Sequence, residues 1–87
     1  MSELKLTIHH GEGLHARPAS QLVKTCQQFK SKVSVHYNDR SANGKSLLSI
    51  LTLGVFQGAE ITIRADGEDE SQALQALEVL VNRNFGE

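Results

Sequence analysis

Eighty-seven residues with 39% hydrophobic side chains suit one small domain, 1–87, with one core and no room for a second. Nine basic and ten acidic side chains leave a formal charge of −1, and the aromatic residues are one Tyr, three Phe and no Trp. That balance offers neither a strong field nor a stacking surface for general nucleic-acid binding. No charged-then-apolar leader opens the chain, and no apolar run approaches the roughly 20 residues needed to span a bilayer, so a cytoplasmic location is expected.

Leu4, Leu6 and Ile8 alternate with Lys5, Thr7 and His9, the period of a half-buried strand, which Gly11 and Gly13 end. From Ala16 the apolar positions Ala19, Leu22, Val23, Cys26 and Phe29 recur at helical spacing, predicting a helix to about Gln28 or Phe29 with Gln21, Lys24 and Gln28 on its polar face. Cys26 is the only cysteine, so an internal disulfide or cysteine metal cluster is excluded, and its place on the apolar stripe predicts a packing role.

Val33, Val35 and Tyr37 alternate with Ser34 and His36, and Asn38-Asp39 forms a tight turn into a short strand from Arg40 to Asn43. A short helix follows Ser46. Ile61, Ile63 and Ala65 alternate in the last strand, after which Asp66-Gly67 turns the chain. Asp69 and Gln72 have capping-box spacing before a helix with the stripe Ala73, Leu74, Leu77, Leu80, Val81 and Phe85. The resulting order is βαββαβα. One apolar face per strand and one stripe per helix predict an α+β open-faced sandwich, a four-stranded antiparallel sheet with three helices on one side.

The densest chemistry lies in Gly13-Leu14-His15-Ala16-Arg17-Pro18-Ala19, which places a histidine at a helix start. Histidine is a poor cap beside Ser, Thr, Asp or Asn, so stability alone does not explain it. Pro18 falls at the third helical position, where its missing N–H costs no internal bond. The helix opening presents free N–H groups and the positive end of the macrodipole, a setting that binds phosphate. The same dipole disfavours an imidazolium, leaving a ring nitrogen able to attack phosphorus. A phosphate on His15 would face the N–H groups of Ala16 and Arg17, and the Arg17 guanidinium would add charge-assisted hydrogen bonds.

Ser46 is a good helix cap, and Leu47, Leu48, Ile50, Leu51 and Leu53 follow it. These are too many for one buried stripe, so Leu47, Leu48 and Leu51 are expected to form an apolar docking patch. Gly44-Lys45-Ser46 resembles the end of a nucleotide-binding P-loop but fails the pattern, because Asp39 stands where the first glycine is required. His9, His10 and His15 lack a further ligand for a metal site, so no metal or other cofactor is expected.

Gly13 to Ala19, followed by Gly44-Lys45-Ser46-Leu47-Leu48-Ser49-Ile50-Leu51-Thr52-Leu53-Gly54 and by Gly58-Ala59-Glu60-Ile61-Thr62-Ile63, resembles the HPr family. These are the histidine-containing phosphocarriers of the bacterial sugar phosphotransferase system, and the resemblance covers nearly the whole chain. It implies the same open-faced sandwich and a monomeric carrier rather than an enzyme. His15 would accept phosphate from phospho-enzyme I, itself charged by phosphoenolpyruvate, and pass it to enzyme II A domains for sugar uptake. The resemblance places that phosphate on the delta nitrogen, not the tele position. It also implies Ser46 as a regulatory site for an HPr serine kinase/phosphorylase and regulatory proteins, and docking through Ser20, Leu47, Leu48 and Leu51. Relatives often carry methionine at positions 48 and 51 and glycine at 49, so the docking surface is altered in shape though still apolar. The alternatives are a carrier of the nitrogen-related phosphotransferase branch, and a regulatory binding module acting through Ser46 and the leucine patch.

Overall fold

A computed structural model describes residues 1–86. The elements run β1 (Ser2–Thr7), α1 (Ala16–Gln27), β2 (Lys32–Tyr37), β3 (Arg40–Asn43), α2 (Leu47–Leu51), β4 (Glu60–Asp66) and α3 (Glu70–Asn82), ending in a 3-10 turn, Asn84–Gly86. The four strands form one antiparallel sheet in the order β1-β4-β2-β3. Ile63 at its centre pairs with Leu4 on one side and Val35 on the other.

The alternation read from the sequence decides which face is covered. Leu6, Val33, Val35, Ile61, Ile63 and Ala65 are buried against Ala19, Leu22, Val23 and Cys26 of α1 and Ala73, Leu74, Leu77 and Val81 of α3. Each large aliphatic side chain removed from water contributes about 1.5–3 kcal/mol, so this single layer of contacts carries the fold. The other face stays polar and wet: Ser34 Oγ meets His36 Nε2 at 2.8 Å, and Arg64 Nε donates to Glu3 Oε2 at 2.8 Å. Cys26 lies wholly inside, and burial pushes its thiol up to about 12, as suits a packing residue rather than a nucleophile.

Three details depart from the sequence pattern. The first helix ends at Gln27, because Gln28 N–H and Phe29 N–H turn back to the carbonyls of Thr25 and Cys26, tightening the last turn. Phe85 is not on the stripe of α3. Left-handed backbone at Asn84 and Phe85 folds the chain back after the helix and seats the Phe85 ring in the core.

The third concerns Asp69, whose side chain makes no cap hydrogen bond to α3. It accepts instead from Lys30 N–H at 2.8 Å, from Ser31 N–H at 2.9 Å and from the Ser31 hydroxyl, pinning the α1–β2 loop to the start of α3. Those donors, the Ser31 hydroxyl first, hold its carboxyl below the ordinary aspartate range. A group lowered in the folded state stabilises above its unfolded pKa and loses that contribution as the pH falls through the folded value. Asp69→Asn is therefore expected to lower the melting temperature at neutral pH, with the gap to the parent narrowing in acid. Thermal melts followed by circular dichroism across that range check it, and a gap independent of pH would sink the account.

Candidate functional site

His15 occupies the N-cap of α1 with extended backbone, φ −89° and ψ −169°, and its carbonyl accepts the first helical bond from Ala19 N–H at 2.9 Å. Its ring makes no capping hydrogen bond and is free for other work. Ala16 and Arg17 carry first-turn N–H groups with no carbonyl of their own helix to meet, and buried Pro18 has no N–H to satisfy. Arg17 is exposed at the second helical position, and no acidic residue stands in the first turn to cancel the dipole.

The approach to the helix is fixed by contacts distant in sequence. Leu14 N–H donates to Val55 O at 3.1 Å and Gly13 N–H to His10 O at 2.9 Å, while Gly13 takes φ +71°. The backbones approach so closely that a Cβ on Gly13 would lie 2.1 Å from Val55 O. This loop buries His10, whose ring centroid is 5.2 Å from that of His15 and 6.1 Å from Phe85, edge-on to the latter. Glu12 N–H donates to His10 Nδ1 at 3.3 Å, and the Glu12 carboxylate stands 3.7 Å from His15 Nε2. That Nε2 is shut off from solvent and has no partner at hydrogen-bond distance among the described residues, although 37% of the His15 side chain is exposed.

Ser46 caps α2, its hydroxyl accepting from Ser49 N–H at 3.3 Å. Beyond it the leucines divide: Ile50 and Leu53 are buried, whereas Leu47, Leu48 and Leu51 are 38%, 75% and 38% exposed. Ser20 is half-buried on α1. Lys45 Nζ donates to Phe29 O at 2.7 Å, so this amine ties α2 to the α1–β2 loop. No group of three His, Cys, Asp or Glu side chains among the described residues comes within range to hold a metal ion.

Three neighbours of the candidate site were given no place in it by the sequence pattern: His10, Glu12 and Phe56. Phe56 is 71% exposed, and its backbone abuts Gly13, so it adds exposed apolar area beside the histidine loop. An aromatic residue in a segment bounded by Gly54 and Gly58 was the available signal. For His10 and Glu12 the periodic pattern held no signal, since their placement depends on the Val55 contact.

A family model describing the phosphorylation site of the HPr component of the phosphotransferase system matches residues 2–83. The chain belongs to the HPr family. HPr relatives share most of its length: the phosphocarrier protein HPr of Buchnera aphidicola is 46% identical over 80 residues, 92% of each chain. HPr-C-His from Thermoanaerobacter tengcongensis superposes with a TM-score of 0.97 at 40% identity, covering 100% of this chain and 98% of that one. HPr from Bacillus anthracis gives 0.87 at 30% identity, covering 92% and 95%. The βαββαβα sandwich is thus the HPr fold, and the chain is a member of a phosphocarrier family of the phosphotransferase system.

Proposed function

We propose that this chain is a cytoplasmic phosphoryl carrier rather than an enzyme. His15 receives phosphate from phospho-enzyme I, charged by phosphoenolpyruvate, and hands it to enzyme II A domains for sugar uptake. The observation that carries this is an imidazole at the start of α1 that makes no cap bond, beside the first-turn N–H groups of Ala16 and Arg17. Nδ1 forms the new bond to phosphorus as the donor's own bond to it breaks, the electron pair of the broken bond leaving with the donor. The phosphate oxygens then meet those two N–H groups and the positive end of the helix, and Arg17 adds charge-assisted hydrogen bonds worth about 1.5–3 kcal/mol each.

A carrier must present one atom to two partners in turn, and an open surface serves that better than a cleft. His15 is part-exposed, and Leu47, Leu48, Leu51 and Phe56 offer apolar area for both partners, with half-buried Ser20 of α1 as a further contact in this scheme. No helix among the described residues is long and apolar enough to cross a membrane. The experiment is uptake of one acid-labile phosphate from phosphoenolpyruvate in the presence of enzyme I, read by intact mass; no adduct with an active enzyme I control overturns the reading.

Ser46 is the regulatory site in this scheme, addressed by an HPr serine kinase/phosphorylase. A phosphate there suits the start of α2 yet adds about −1.5 to −2 charges beside the leucine patch. Ser46→Asp, which keeps a capping oxygen, is expected to leave the fold unchanged while slowing phosphorylation of His15 by enzyme I. Equal rates for the two proteins would reduce Ser46 to a cap.

A further inference from the structure

We infer that Glu12 is a positioning residue that sets the tautomer of His15, with His10 holding Glu12 in place. The inference rests on the carrier reading for its consequence, though not for its test.

A neutral imidazole carries its proton on one nitrogen and its reactive lone pair on the other, and the neighbours of each nitrogen decide which. In His15 the two nitrogens stand in different surroundings. Nε2 is closed off from solvent and has no hydrogen-bond partner among the described residues, yet the Glu12 carboxylate lies 3.7 Å away. A carboxylate accepts and cannot donate, so it favours a proton on the nitrogen that faces it. The gap is just beyond hydrogen-bond length, and the Glu12 side chain is 75% exposed, with room to close it by a small rotation. A buried N–H without an acceptor is costly, whereas one aimed at a carboxylate is compensated. The proton therefore belongs on Nε2, leaving the lone pair on Nδ1.

His10 supplies the rigidity. Its Nδ1 accepts the Glu12 backbone N–H, its carbonyl accepts Gly13 N–H, and its ring packs against those of His15 and Phe85. Residues 10 to 13 are thereby wrapped around one buried ring, and the carboxylate of Glu12 has a fixed origin. His15 reaches the attack on phosphorus with its proton already on the far nitrogen, so no proton has to leave Nδ1 before the bond forms.

The test uses the whole chain, labelled with nitrogen-15 in its histidines and observed by two-bond proton–nitrogen correlation in mildly alkaline solution. In the parent, His15 is expected as the Nε2–H tautomer. Glu12→Ala should move the balance toward Nδ1–H and slow phosphate uptake about fivefold, the scale of one charge contact at an exposed site. Glu12→Gln, whose amide oxygen still accepts, should restore both tautomer and most of the rate. An Nδ1–H tautomer in the parent, or nitrogen shifts and rates unchanged in Glu12→Ala, overturns the inference. Absence of phosphate uptake by the parent, with the tautomer shifts as expected, instead removes the carrier reading and leaves the role of Glu12 standing.

Discussion

His15→Ala is expected to take up no phosphate from phosphoenolpyruvate and enzyme I, while melting close to the parent. Both halves follow from the same geometry. The His15 ring contributes no capping hydrogen bond, and its backbone carbonyl, which any residue supplies, accepts the first bond of α1. Removing the ring deletes the nucleophile and its contacts with His10 and the Glu12 carboxylate, but no hydrogen bond among the described residues. The other histidines are poor substitutes: His10 is buried, His36 is tied to Ser34 on the open sheet face, and His9 has no helix start beside it. Intact mass before and after mild acid reads the result. A labile phosphate retained on the variant would move the acceptor elsewhere.

Gly13→Ala should be the most damaging small substitution near the site. A Cβ there would sit 2.1 Å from Val55 O and 2.9 Å from Phe56 Cα, both of them backbone atoms with no rotamer to yield. The left-handed φ of +71° adds a conformational cost for any L side chain. Strain and overpacking together come to about 3 kcal/mol, or roughly 12–24 °C in melting temperature for a domain of this size. The surviving folded molecules should also lose the Leu14–Val55 hydrogen bond that seats His15. Gly11→Ala is the control. Nothing lies within 4 Å of its Cβ position, so it should melt with the parent. Equal melting of the two variants would sink the close-approach account.

Much of the fold was legible because its signals are local. Val33 and Val35, or Ile61 and Ile63, alternate in any half-buried strand, and the spacing of Leu22, Val23 and Cys26 admits only a helical stripe. The placement of His15 and Arg17 at a helix opening was legible for a related reason, since a helix start is written in a few adjacent residues. What the pattern could not supply was long-range. Asp69 carries capping-box spacing, yet its carboxylate finds better donors at Lys30 and Ser31, 39 and 38 positions back. Glu12 reads as one charge in a glycine-flanked loop until Val55 fixes the loop's path. Phe85 continues a helical stripe by spacing, and only the left-handed turn at positions 84 and 85 puts its ring against His10.

The Leu14–Val55 hydrogen bond also bears on when the histidine becomes useful. It spans some forty residues, and the sheet beneath it closes only when β4 slots between β1 and β2. Contacts of such separation are formed late, because the loop entropy must be overcome first. On the ribosome, a nascent chain that has emerged through α1 and β2 already exposes His15 but lacks its seat. In the proposed carrier, competence to receive phosphate is therefore expected only of the finished fold, in which Val55 holds the loop before α1.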